Sequence, residues 1–146
     1  PLSPTGGKMA DAVTSQTLSD GGKTAVVKLT NISDGTGESS VKKIDVSALT
    51  SAADGTACSR VHIDQIWYDI GGMRVALEWN ATSNVVAAVL GGSAAAGNVS
   101  GHMDFRSFGG LKNNAGSGID GDIDLTTHGH TNHDHYTIVL QLRKTF

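Results

Sequence analysis

No stretch of this chain repeats its apolar residues with the 3.6-residue period of an amphipathic helix, and its one alanine run, Ala94-Ala95-Ala96, is hemmed in by Gly92 and Gly97. Short alternating runs take the place of helices. The clearest is Met73-Arg74-Val75-Ala76-Leu77-Glu78-Trp79, in which Met73, Val75, Leu77 and Trp79 share one parity while Arg74 and Glu78 take the other. A period of two turns the first set into a core and the second toward water. With 19 Gly against 2 Pro, the composition adds many tight turns between such runs.

Similar runs occupy residues 24–31, 41–49, 60–70, 85–90, 99–108, 119–127 and 136–142. Ile44, Val46 and Ala48 fall on one face of 41–49, Ile123 and Leu125 on one face of 119–127, and Ile138, Leu140 and Leu142 on one face of 136–142. In 60–70, Val61, Ile63 and Trp67 share a parity that slips at Ile66, which predicts a bulge or burial on both faces. Gly71-Gly72 reads as a tight hairpin that makes its two flanking strands antiparallel neighbours. About eight short strands with regular turns predict an all-β fold, an antiparallel β-sandwich of jelly-roll-like topology.

At 146 residues the chain has the size of one domain. Residues 1–22 are small, polar and without period, so they are expected to form a flexible N-terminal arm ordered only by a partner. Residues 23–146 form the β-sandwich domain.

Only 17% of residues are charged and the formal net charge is -3, which supplies no basic field for phosphates. Nucleic acid is not expected as a partner. The N-terminal run lacks a basic start followed by an apolar segment, and nowhere do some eighteen apolar residues follow one another. Neither a signal peptide nor a membrane span is expected. Cys58 is the only cysteine, so an internal disulfide or a thiolate-rich zinc site within one chain is excluded.

Four of the six histidines lie close together in Thr127-His128-Gly129-His130-Thr131-Asn132-His133-Asp134-His135-Tyr136. If the last two strands pair through this segment, His128 and His130 face His133 and His135 across a hairpin. Such an array could offer neutral imidazoles to a divalent transition metal such as zinc, nickel or copper. The competing reading is a hairpin tip in which Gly129, Asn132 and Asp134 supply the turn and the histidines make polar contacts. A third is a pH-sensitive contact, because four neighbouring imidazoles repel one another once protonated. His62 and His102 sit in strands and read as wall or interface residues.

No catalytic set accompanies the imidazoles, and an enzyme is not expected. Asp64 with Asp69, or Asp120, Asp122 and Asp124, offer carboxylates, but alternation puts the latter three on the polar face of a strand. Ser59, Ser100 and Ser107 lack a nucleophile-elbow context, and Cys58 beside a loop reads as an inert thiol.

The runs Ile66-Trp67-Tyr68-Asp69-Ile70-Gly71-Gly72-Met73, Glu78-Trp79-Asn80-Ala81-Thr82, Gly101-His102-Met103-Asp104-Phe105-Arg106 and Tyr136-Thr137-Ile138-Val139-Leu140-Gln141-Leu142-Arg143-Lys144 resemble small structural proteins of tailed bacteriophages. The resemblance covers residues 24–146, and its motifs are structural rather than catalytic. It implies a virion protein, made in the host cytoplasm, of the capsid decoration or cement kind. Its partners would then be the major capsid protein and copies of itself, in a homo-oligomer. Two alternatives stand beside it. One is a tail-associated or carbohydrate-binding sandwich with Trp67, Tyr68 and Trp79 as stacking residues. The other is a cupin-like protein that binds metal through the His-rich loop.

Overall fold

The computed structural model describes residues 12–91, 98–128 and 132–146. Within them lie nine strands: β1 (Ala12–Asp20), β2 (Thr24–Asp34), β3 (Val41–Ile44), β4 (Arg60–Gly71), β5 (Arg74–Trp79), β6 (Val85–Gly91), β7 (Asn98–Asp104), β8 (Ile123–His128) and β9 (Asn132–Thr145). They form a five-stranded sheet, β1-β2-β9-β4-β7, and a four-stranded sheet, β3-β8-β5-β6. Setting β1 aside, the antiparallel pairs β2 with β9, β3 with β8, β4 with β7 and β5 with β6 nest inside one another and alternate between the sheets. This wrapping is the jelly roll expected from the sequence.

Alternation builds the core as read. Met73, Val75, Leu77 and Trp79 are all buried, and Ile123 and Leu125 of β8 join them from the same sheet. Val27 and Leu29 of β2, Ile66 and Ile70 of β4, and Ile138, Leu140 and Leu142 of β9 close over them from the other. Each large side chain removed from water in this way contributes roughly 1.5–3 kcal/mol.

Four features depart from the sequence reading. Residues 12–20, expected within the arm, form the edge strand β1 on β2; residues 1–11 of that arm lie outside the described residues. Side chains 13–19 are exposed, so the strand is held by its backbone ladder rather than by burial. Gly71-Gly72 does not close a hairpin, because β4 and β5 belong to different sheets. Gly72, at φ +81°, turns the chain across the sandwich, letting Ile70 and Met73 both enter the core.

The same holds for the His-rich connection, since β8 belongs to the four-stranded sheet and β9 to the five-stranded one. Three strands are also shorter than read, among them β8, which starts at Ile123 rather than at residue 119. Residues 46–48 form a 3-10 turn whose start is capped by Asp45, which accepts from the Ser47 amide at 3.0 Å. Residues 106–108 form another, which leaves β7 ending at Asp104.

Candidate functional site

The four histidines do not face one another across a hairpin. His128 ends β8, exposed and opposite Arg74. His135 lies in β9, opposite Ile32 on one side and Gly71 on the other. Its ring occupies the space a side chain at Gly71 would need: a Cβ there would fall 2.6 Å from Cε1 and 2.8 Å from Nε2. His130 and the side chain of His133 lie outside the described residues. Among the described residues, no group of three or more His, Cys, Asp or Glu side chains is placed to hold a metal.

Beside this connection the two sheets are joined by a buried polar cluster that the sequence did not disclose. Glu38 lies between β2 and β3, and its Oε1 accepts from Tyr136 Oη at 2.6 Å and from Asn31 Nδ2 at 2.8 Å. Its Oε2 pairs with Lys43, whose side chain is 5% exposed. The Glu38 amide donates to Thr127 Oγ1 at 2.9 Å, and the Thr127 amide returns a bond to the Glu38 carbonyl at 2.9 Å. This one residue thereby ties the sheets together, its carboxylate reaching β2, β9 and β3 and its backbone reaching β8. A buried charge with this many donors is compensated, so its role is structural.

Of the three carboxylates read as a polar strand face, Asp120 is exposed and precedes β8, but the other two are not solvated. Asp122 and Asp124 are buried. Asp122 accepts from the Val46 amide at 2.9 Å and pairs with Lys42 at 2.7 Å. Asp124 accepts from Asn80 at 2.8 Å and Asn84 at 3.0 Å. These partners sit far away in sequence, which is why alternation alone misplaced the two carboxylates.

Three further groups with chemical potential are wholly or partly withdrawn from solvent. Cys58 is buried and its thiol is pushed up by that burial, which makes it a poor nucleophile. His62 is pushed below the ordinary imidazole value, first by burial and then by Arg143. Asp64 pairs with Arg143 at 3.5 Å, and Gly110 packs against its Oδ1.

The outer face of the five-stranded sheet carries an exposed aromatic side chain. A bulge in β4 between Ile63 and Gln65 reverses the parity read from the sequence and turns Trp67 outward, 38% exposed, while Trp79 stays in the core as expected. His102 of β7 lies directly opposite and stacks on the indole, ring centroids 4.9 Å apart and planes 8° from parallel. Gln65 holds His102 Nε2 at 2.8 Å and is bonded in turn to Gln141. Beyond this row the face is closed by residues 105–111, through the Ile63–Leu111 backbone bridge and a bond from Arg143 to the Gly109 carbonyl.

Compared with known protein families, curated proteins and solved structures, the chain matches none.

Proposed function

We propose that this chain is a structural protein of a tailed-phage virion, a decoration or cement component that stabilises the shell through subunit contacts. The observation that carries the reading is the edge strand β1. It bonds to β2 along one side, and among the described residues no strand lies along the other. Residues 12–19 carry no charge and no proline, two of the devices that keep an edge from pairing with another chain, and the ladder is regular from Ala12 to Thr17, the irregularity falling between Thr17 and Ser19. Val13 and Leu18, 44% and 54% exposed, add apolar contact to the open edge. A strand from the major capsid protein or from a second copy can extend the sheet there, with main-chain bonds supplying affinity and alternate side chains supplying register.

The resemblance to phage structural proteins supports the same reading. Jelly rolls build viral capsid domains, although the fold also serves lectins and cupins, so this part of the argument is analogy. On a symmetric shell, weak edge contacts repeat and reinforce one another through effective concentration.

Mass spectrometry of purified virions of the phage that encodes the chain tests the proposal, together with a map of the shell. The expected result is a fixed copy number and density against the β1 edge. Absence of the protein from the particles would refute the reading.

A further inference from the structure

The strand registers arrange the outer face of the five-stranded sheet in rows that cross all five strands. One row runs Ser100, Asp69, Thr137, Thr30, Thr14. On one side of it lies the row of His102, Trp67, Val139, Lys28 and Gln16. On the other lie Asn98, Gly71, His135 and Ile32. The central row is short and hydroxyl-rich, and the flanking rows carry the bulk. The result is a trough with Trp67 and Val139 on one wall and His135 and Ile32 on the other. Two cavities of about 630 and 370 Å³ lie along it and share Thr137. Strand geometry makes the trough roughly 13 Å between walls and about 19 Å long.

We propose that this trough binds a neutral oligosaccharide. Its floor presents a single carboxylate and four alcohols, of which Thr14 and Thr30 bond to each other and keep their remaining lone pairs for the hydroxyls of a sugar. Asp69 is the strongest acceptor among them, and charge-assisted bonds of this kind orient a polyol. Lys28 is the one cation in the three rows and Asp69 the one fixed anion, so they offset each other. A phosphate or a nucleic acid would find no cationic cluster here. An extended peptide is the poorer fit, because the backbone groups beneath the trough are already paired in the sheet and peptides add at edges.

Trp67 supplies the apolar surface against which the C–H face of a sugar ring packs. The stacked His102 and the Gln65–Gln141 pair fix the indole from one side. The cavity beside it is lined by Trp67, Val139 and Thr137 but not by His102, and so opens away from the stack. The trough runs out to Thr14 and Gln16 of β1 but lies on the face of the sheet rather than along its open backbone edge, and binding to the isolated protein is independent of any role in a particle.

Isothermal titration of the purified full chain with cellohexaose, chitohexaose, maltohexaose and mannohexaose tests the proposal, with Trp fluorescence as a second readout. Trp79 is buried and Trp67 exposed, so a ligand-induced change reports the trough. At least one hexasaccharide is expected to bind, with affinity weakened roughly tenfold or more by Trp67→Ala and by Asp69→Asn. Thr137→Val, nearly isosteric on the floor, is expected to weaken it without disturbing the sheet. Phe108→Ala, at a side chain 67% exposed outside the trough, is expected to leave it unchanged. Absence of binding to all four sugars overturns the proposal, as does binding that survives either Trp67→Ala or Asp69→Asn within about twofold.

Discussion

Lys144 of β9 reaches Asp20 at the end of β1, and its side chain is wholly enclosed there. Its ammonium also donates to the carbonyls of Gly21 at 2.6 Å and Thr50 at 2.9 Å, while the Thr50 amide donates to Asp20 Oδ2 at 2.9 Å. This pair pins the turn that follows β1 to the last strand of the chain.

Lys144→Met removes all three bonds and leaves Asp20 without its cation. The expected loss is roughly 3 kcal/mol, less than for two fully buried charges because Asp20 keeps 20% exposure. In a domain of this size that lowers the melting temperature by on the order of 10 °C. Burial pushes the Asp20 carboxyl up, but bonds from Lys144 and Thr50 outweigh it and hold the group below the usual range. Its contribution is therefore present above the ordinary carboxylate pKa and is lost as pH falls through the lower folded value. Urea unfolding checks this: the gap between wild type and Asp20→Asn is expected to be full at neutral pH and to close in strong acid.

Gly72→Ala is expected to destabilise by about 2–3 kcal/mol. Two effects add. The residue sits at φ +81°, and a Cβ there would collide with the Asp134 carboxylate. Placing the substitution in an Asp134→Ala background relieves the contact but not the backbone strain, so roughly 1 kcal/mol of loss should remain. A double-mutant cycle by chemical denaturation separates the two.

Most of the strands were legible because their apolar residues alternate with a period of two, β5 and the end of β9 most clearly. Strand partnership was not. Gly71-Gly72 announces a turn, yet nothing local says whether the next strand pairs with the last or crosses to the other sheet. β1 escaped because Ala12-Val13-Thr14-Ser15-Gln16-Thr17-Leu18-Ser19-Asp20 has too few apolar residues for a pattern, and its anchor, Lys144, lies 124 residues away. Trp67 was assigned the wrong parity by a bulge whose presence, but not position, the slip in β4 announced. The histidine cluster stood out by density alone, and the division of β8 and β9 between two sheets sets His128 and His135 on different sheets. The row of four alcohols and Asp69 beside Trp67 could not be read at all, because it takes a single residue from each of five strands.

Tyr136→Phe deletes the hydroxyl that donates to Glu38, and the expected cost is about 1.5–2 kcal/mol for a bond to a charged acceptor. Glu38→Gln should cost more, roughly 3 kcal/mol, because it also leaves the enclosed ammonium of Lys43 unpaired. The two residues share one bond, so their effects are expected to fall short of additivity in a double-mutant cycle. Additive losses would show that the cluster does not couple the sheets.

Asp104 and Arg106 form an exposed two-point pair at the end of β7, with Arg106 Nε 2.9 Å from Oδ1 and Nη2 2.7 Å from Oδ2. The Arg106 amide donates to the same carboxylate at 3.0 Å, which starts the 3-10 turn of residues 106–108. The side-chain bonds from Arg106, helped by its backbone amide, hold Asp104 down to about 2. The folded value lies below the unfolded one, so the pair favours the native state above the ordinary carboxylate range and ceases to do so as pH falls toward 2. Titration followed by carboxyl carbon NMR should place the Asp104 midpoint near that value. Arg106→Gln keeps the backbone donor and removes the guanidinium, so the midpoint is expected to rise part of the way back. A midpoint in the ordinary range in the wild type would mean that the pair does not persist in solution.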